Sequence, residues 1–211
     1  MNIAVLSDIH GNYQALRAVM DDMADIGVDG VIVLGDIIFP GDMPQACFEA
    51  LKSLGPLAWV RGNTDDWLNE IGEDFVPSND IEKRVLADYN RCRPLMTHET
   101  ADFVAALPEK QTIEISGKKL LCVHGDDQHI NWPIGIMRTH EDTQSIAARM
   151  DADILLCGHT HSPYVAALDG KLIINAGSVG KPKDAPGPCW CLLRFGDTFE
   201  YGFRKLAAIM E

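Results

Sequence analysis

Three short apolar runs constrain this chain more than any other feature: Ile3-Ala4-Val5-Leu6, Val31-Ile32-Val33-Leu34 and Leu57-Ala58-Trp59-Val60. Four apolar residues in a row, with no polar alternation, suit a strand buried on both faces. Between the first two runs, Leu16, Val19, Met20, Met23 and Ile26 recur at helical spacing from about Asn12. Asp21, Asp22 and Asp25 fall on the wet side of that helix. A second helix is expected near Asp42-Met43-Pro44, with Pro in its first turn and Cys47, Phe48, Leu51 and Leu54 inward. The order strand–helix–strand–helix–strand predicts a parallel sheet with right-handed crossovers, an α/β class.

The residues just beyond each run matter as much as the run itself. Asp8 and His10 come after the first, Gly35-Asp36 after the second and Gly62-Asn63 after the third. In open α/β sheets ligands bind beyond the carboxyl ends of the strands. Residues two apart on an extended chain point the same way, so Asp8 and His10 can grip one ion from one direction.

Residues 64–110 change character. Ile81, Val85, Tyr89 and Cys92 mark a helix stopped by Pro94; another is expected from Thr97 to Leu107, with Phe103, Val104 and Leu107 inward. This reads as a helical insertion within one domain spanning 1–211, either covering the sheet or lining a cleft. Beyond it, Thr112–Ile115 and Leu120–Val123 flank Ser116-Gly117-Lys118, and two later hairpins turn at Asp169-Gly170 and Gly196-Asp197. A short helix fits 140–150. The strand ending at Val123 delivers His124, and Ile154–Cys157 delivers Gly158-His159-Thr160-His161.

The set Asp8, His10, Asp36, Asn63, His124, His159 and His161 mixes imidazole nitrogen with carboxylate and amide oxygen. Such donors suit Mn, Fe, Zn, Co or Ni rather than Ca or Mg alone. Seven donors exceed the needs of one tetrahedral ion and suit two ions about 3.5–4 Å apart. His98, His129 and His140 lack this placement and read as surface residues. The six cysteines mostly sit in apolar runs with no CxxC pair, which predicts buried, reduced thiols rather than a disulfide frame or a zinc site. A net charge of −13 argues against nucleic-acid polymers and anionic membranes as partners. No apolar run approaches a membrane span, and Met1 leads straight into a strand pattern, so a cytoplasmic protein is expected.

Asp8-x-His10, Gly35-Asp36, Gly62-Asn63-x-Asp65, His124-Gly125 and Gly158-His159-Thr160-His161 together resemble the calcineurin-like metallophosphoesterase superfamily, in order and over residues 3 to about 183. The chain looks most like its small bacterial and archaeal phosphodiesterase-like branch. The resemblance implies a four-layer αββα sandwich with a dinuclear site at one edge of two sheets. It implies that Asp8, His10 and His161 hold one metal and that Asn63, His124 and His159 hold the other. Asp36 would bridge them, and manganese is the first candidate. A hydroxide shared by the ions would then attack phosphorus in line.

Lys183, in a loop that resembles one near the site in this branch, is a candidate phosphate contact. Thr64 departs from the family pattern: many members carry His there to assist the leaving group, and a threonine hydroxyl titrates far too high for that. Good leaving groups are therefore expected: aryl or nucleotidyl phosphoesters, or phosphoanhydrides such as dinucleoside polyphosphates. The segment through His129 and Trp132 is a candidate roof over a small anionic substrate. There Trp132 would stack on a base or pack under the loop, and His129 is one candidate for the missing acid. The resemblance also admits a phosphomonoesterase or protein phosphatase, and a non-catalytic scaffold of the kind found in a trafficking complex. Self-association is left open.

Overall fold

The computed structural model describes residues 1–208. The first half alternates as the apolar runs require: β1 Asn2–Leu6, α1 Tyr13–Ile26, β2 Gly30–Leu34, α2 Pro44–Ser53 and β3 Ala58–Val60. Asn12 caps α1 by accepting from the Ala15 N–H, and Gly27 ends it in the left-handed region at φ 72°. β1, β2 and β3 pair in parallel. The insertion comes next as α3 Trp67–Glu70, α4 Asp80–Cys92, a 3-10 turn at Arg93–Leu95 and α5 His98–Ala105. The second half contributes β4 Lys110–Ile115, β5 Lys118–Val123, α6 His140–Arg149, β6 Ile154–Cys157 and β7 Tyr164–Leu168. It closes with β8 Lys171–Asn175, β9 Cys189–Phe195 and β10 Phe199–Lys205.

Two mixed five-stranded sheets result, ordered β10-β9-β1-β2-β3 and β4-β5-β6-β8-β7. Strand alternation explains how they stack. Ile3, Val5, Ile32, Leu34 and Val60 meet Leu120, Cys122, Ile154, Leu156 and Ile174 between the sheets. The opposite faces carry Ala4, Leu6, Val31 and Val33, which bury against Leu16, Val19, Met23, Cys47 and Leu51 of α1 and α2. On the far side of the second sheet, Val123, Leu155, Cys157 and Ile173 pack on Ile146 of α6 and on Met150, just past its end. The layers are therefore helix, sheet, sheet, helix; burial on both faces explains the apolar runs of β1, β2 and β6, whereas β3 starts at Ala58 on the sheet's edge and leaves Leu57 46% exposed. All six cysteines are buried and free. No described helix is long and apolar enough to cross a membrane.

Three local expectations change. Phe103 is 40% exposed rather than inward, because α5 turns it to the rim, where it meets the rings of Phe48 and Trp59. Asp22 is not simply on the wet side: it accepts from Trp190 Nε1 and pairs with Arg204. The first hairpin turns on two residues, not three; Ser116 at φ 51° and Gly117 at φ 75° leave Lys118 in the strand. The insertion both covers and lines: Ala101 and Val104 of α5 join the core, while Arg91 of α4 borders a cleft beside His10.

Candidate metal centre

Five strands of the two sheets end at one edge, and each releases a polar residue within three positions. β1 leads to Asp8, β2 to Asp36, β3 to Asn63, β5 to His124 and β6 to His159. The chain is not extended there, as the i, i+2 reading of Asp8 and His10 assumed. Asp8, His10, Asp36, His159 and His161 all take left-handed backbone, with φ of 55°, 49°, 51°, 66° and 62°. Each such residue costs about 1–3 kcal/mol, and clusters of them mark functional sites. Cross-loop hydrogen bonds hold the conformation. Asp8 N–H donates to Gly35 O at 3.0 Å, His10 N–H to Asp36 O at 2.8 Å and Gly180 N–H to Asp8 O at 2.9 Å. The pairing of Asp8 with His10 thus arises from two tight turns, not from strand pleat.

Two glycines let the loops approach. A Cβ on Gly62 would lie 2.2 Å from Asp36 Oδ1, and one on Gly158 would lie 1.8 Å from Ser7 Oγ and 2.6 Å from Asp8 Oδ2. Only hydrogen fits at either position.

The donor atoms converge. His161 Nε2 is 3.2 Å from Asp8 Oδ1 and 3.1 Å from His10 Nε2, and His10 Nε2 is 3.7 Å from Asp36 Oδ2. Asp8, His10, Asp36 and His161 together offer ligand atoms within 4.8 Å of one another. A second group adjoins it: His124 Nε2 lies 3.5 Å from Asp36 Oδ2 and 3.1 Å from Asn63 Oδ1, and His159 Nδ1 lies 2.8 Å from that same amide oxygen. Asp36 belongs to both. Asp8, His10, Asp36 and His124 are buried, whereas Asn63, His159 and His161 form the half-open face.

Backbone carbonyls fix three of the imidazoles. His124 Nδ1–H donates to Leu34 O at 2.7 Å, His161 Nδ1–H to Lys181 O at 2.8 Å, and His10 Nδ1–H to Phe39 O. Each bond turns Nε2 toward the carboxylates: it is a lone pair on a neutral ring, and on His124 it becomes one when an ion replaces the proton there.

Electrostatics show what the pocket is built to receive. Burial pushes the Asp8 carboxyl up, but the nearby rings of His161 and His124 bring it below the ordinary value. Burial likewise opposes ionisation of Asp36, and the His124 charge overrides it, holding Asp36 well below the usual carboxylate range. His124 responds in kind: burial works against its charge, yet Asp36 drives it up to about 10. Burial keeps His10 and His159 low, so both favour the neutral ring. In the protein by itself, the proton on His124 occupies a place that suits a cation. Asp8 Oδ1 is fully buried and receives no hydrogen bond. An anionic oxygen with no donor is costly in a core, and a metal ion satisfies it. The residues therefore fit divalent metal.

Supporting residues were harder to foresee. Asp65, which the motif includes without a role of its own, is buried and accepts three backbone N–H bonds. Gly62 donates to Oδ2 at 2.9 Å, while Ile37 and Ile38 donate to Oδ1 at 2.9 and 3.3 Å. It ties the loop carrying Asp36 to the loop carrying Asn63. Burial, then the Asp36 charge, raises its carboxyl to about 7. Asn175 Nδ2 donates to Gly158 O at 2.5 Å and Ile134 O at 2.9 Å, which fixes the His159–His161 turn. Ser178 Oγ donates to Asp8 O at 2.8 Å and accepts from Lys181 N–H. Asn175 carried a readable signal, a polar residue closing a buried strand; Ser178 carried none.

The calcineurin-like phosphoesterase superfamily domain matches residues 1–198. The chain belongs to that superfamily. It is accordingly a metal-dependent phosphoester hydrolase. An uncharacterized protein of Methanocaldococcus jannaschii is 29% identical, with 86% of this chain and 77% of that protein covered. The phosphodiesterase YfcE of Escherichia coli K12 is 25% identical over 87% of this chain and 82% of its own. A metallophosphoesterase crystal structure from Sphaerobacter thermophilus superposes with a TM-score of 0.74 at 27% identity, covering 91% of this chain and 82% of that one.

In this calcineurin-like phosphoesterase the other expected site residues stand outside the ligand cluster. Thr64 is buried; its N–H donates to Asp36 Oδ1 at 2.9 Å and its hydroxyl to Phe39 O at 3.1 Å, so the hydroxyl is committed to the backbone. Lys183 is exposed, and its N–H donates to His161 O at 3.2 Å. His129 is exposed and stacks on half-exposed Trp132 with ring centroids 4.0 Å apart. His98 lies 2.8 Å from Arg93 Nη2 on the surface, and His140 opens α6.

Proposed function

We propose that this enzyme is a two-metal phosphodiesterase acting on esters or anhydrides with good leaving groups. Asp8, His10 and His161 would hold one ion and Asn63, His124 and His159 the other, with Asp36 shared. Manganese is the first candidate; iron, zinc, nickel and cobalt are compatible with the same donors. The observation that carries this reading is the donorless, buried Asp8 Oδ1 beside imidazoles whose Nε2 lone pairs are held in place by backbone carbonyls. Bound ions would polarise the phosphoryl group and activate water near neutral pH.

The protein's own residues set the rest. Two divalent ions less the charges of Asp8 and Asp36 leave about +2 in the pocket, enough to attract a phosphoester to a protein whose net charge is −13. Distant surface carboxylates are screened within about 8–10 Å of salt solution. The Thr64 hydroxyl is bonded to Phe39 O and stands where the family's histidine would be, so position 64 itself supplies no acid. The leaving oxygen must then depart largely as an anion. Aryl, nucleotidyl and anhydride leaving groups meet that demand and simple alkoxides do not.

The test is Mn²⁺-dependent turnover of bis-(p-nitrophenyl) phosphate beside methyl phosphate. Fast release of p-nitrophenolate with negligible methanol release is expected. Faster cleavage of the alkyl ester refutes the leaving-group reading, and no hydrolysis with any divalent metal refutes the enzyme assignment.

A further inference from the structure

Two clefts reach the ligand cluster, and their walls differ. The one beside His10 holds about 580 Å³ and is polar, with Arg91, Lys181 and Asp42 on its walls. The one beside His159 holds about 820 Å³, and Trp132, Ile136, Met137, Pro163 and Tyr164 line it. Ile136 and Met137 are 86% and 92% exposed, in a loop that also presents Trp132 at 50%. Three apolar side chains left in water next to a phosphoester site mark a binding surface.

We infer that the groove beside His159 receives the nucleoside portion of a nucleotidyl phosphodiester. This rests on the phosphodiesterase reading above. The mix of side chains lining the groove selects the occupant. His159 and Lys183 stand at the end nearest the cluster; among the described residues Lys183 is in no ion pair, so its ammonium is available to a phosphate oxygen. Apolar and aromatic walls adjoin them. Asp142 and Asp184 then add carboxylates that can accept from ribose hydroxyls or a base amino group.

An acyl chain would fill the apolar part but offer no donor to those exposed carboxylates, of which Asp142 has, among the described residues, only the Thr139 hydroxyl at 2.7 Å. A polynucleotide would bring its next phosphate against the same carboxylates. A single nucleoside meets both conditions, and its ring has flat surface to offer Trp132 and Tyr164. Arg138 is not free to bind it: its guanidinium donates to Asp126 Oδ2 at 2.9 Å and Pro133 O at 2.7 Å, bracing the loop that presents Trp132.

Two substrates with one leaving group test the assignment: thymidine 5′-(p-nitrophenyl phosphate) and methyl p-nitrophenyl phosphate, each with the Mn²⁺-loaded enzyme. The thymidine ester should be favoured about tenfold or more in kcat/KM, chiefly through KM. An Ile136→Asp/Met137→Asp variant should bring the ratio close to one. Val76→Asp, at an equally exposed apolar position outside the groove, should keep the ratio. A ratio near one in the unaltered enzyme, or an unchanged ratio in the double variant, overturns the assignment and leaves the metal centre standing. If neither ester is cleaved, the phosphodiesterase reading falls, and the groove is judged by binding alone. Thymidine 5′-phosphate held about tenfold tighter than inorganic phosphate, with the difference lost in the double variant, would uphold it; equal binding would overturn it.

Discussion

The ligand cluster and the segment from Asp126 to Arg138 lie side by side but are built on opposite plans. In the cluster, most side chains have a second partner that fixes them, and five backbones are held in left-handed conformations by bonds from other loops. In the neighbouring segment the ends are anchored, with Asp126 accepting from Gln128, His129 and Arg138, Arg149 forking Asp127 and Asn175 holding Ile134 O, while Trp132, Ile136 and Met137 face water. Rigid geometry is what metal coordination and pre-organised electrostatics require. Loosely committed surface is what recognition of a varied organic group requires. The comparison predicts large, all-or-none effects from substitutions in the first region and graded, substrate-dependent ones in the second.

The sharpest break would come from Asp8→Asn. The amide oxygen can still accept from His159 N–H, which donates to Asp8 Oδ2 at 3.0 Å, so the turn stays pinned. The anionic Oδ1 is lost. Turnover should fall to the level of metal-free protein, metal content should drop, and circular dichroism should be unchanged. Asp22→Asn, at a carboxylate wired to Arg204 and Trp190 away from the cluster, should leave turnover intact. Full activity in Asp8→Asn would remove the basis of the metal assignment.

Next in size is Asp65→Asn. It keeps one acceptor oxygen and sets an amide NH2 against a backbone N–H that the other carboxylate oxygen now accepts. Because these bonds join the Asp36 and Asn63 loops, Mn²⁺ affinity should fall about 10–100-fold, the usual range for a residue that orients ligands. Stability should fall by about 2 kcal/mol, the order of a damaged charge-assisted network. Isothermal titration separates the two effects: unchanged Mn²⁺ affinity with lowered stability would reduce Asp65 to a structural brace.

The physics of each feature decides how much of it was legible in the sequence. The sandwich was readable because strands buried on both faces must be written as unbroken apolar runs, and Val31–Leu34 and Ile154–Cys157 are such runs. The polar residues after them were readable for the same reason: a polar side chain at the mouth of an apolar strand is conspicuous. Local conformation was not. Asp8 and His10 look like an i, i+2 pair on a strand, and only the crossing bonds from Asp36, Ile37 and Gly180 bend them into left-handed turns. Ser178 acts on Asp8 across a sequence separation of 170, with no pattern to announce it. Phe103 obeyed helical periodicity, yet the rim of the sheet ends before it. Trp132 was legible as a roof over the site, but the apolar extent of the groove was not, because Ile136 and Met137 carry no period at all.

Ser178→Ala should have a smaller effect than Asp65→Asn. The hydroxyl donates to Asp8 O, but Gly180 N–H also donates to that oxygen, so the carbonyl is not orphaned. The Lys181 N–H, now bonded to the hydroxyl at 2.8 Å, would be left to water at a partly open site. A loss of about 1 kcal/mol in stability is expected, read by urea denaturation, with a few-fold weaker Mn²⁺ affinity because the Asp8 turn loosens. A Mn²⁺ affinity as poor as that of Asp65→Asn would mean that the Gly177–Lys181 loop, rather than the Asp36–Asn63 tie, governs the cluster.

Lys183→Ala is the mildest break and bears directly on the boundary between the two regions. Its backbone belongs to the rigid side, since Lys183 N–H donates to His161 O, and alanine preserves that bond. Its side chain belongs to the loose side: it is exposed and lines the groove beside His159. An exposed ammonium facing one phosphate oxygen contributes about 1 kcal/mol or less. KM for a nucleotidyl ester should therefore rise about fivefold at most, with kcat close to unchanged, and the difference should shrink in high salt. A large fall in kcat with KM unchanged would instead mean that Lys183 stabilises charge arising only in the transition state. The lysine would then join the rigid cluster, and the division between a fixed metal grip and an adaptable substrate face would lie further out, at Trp132.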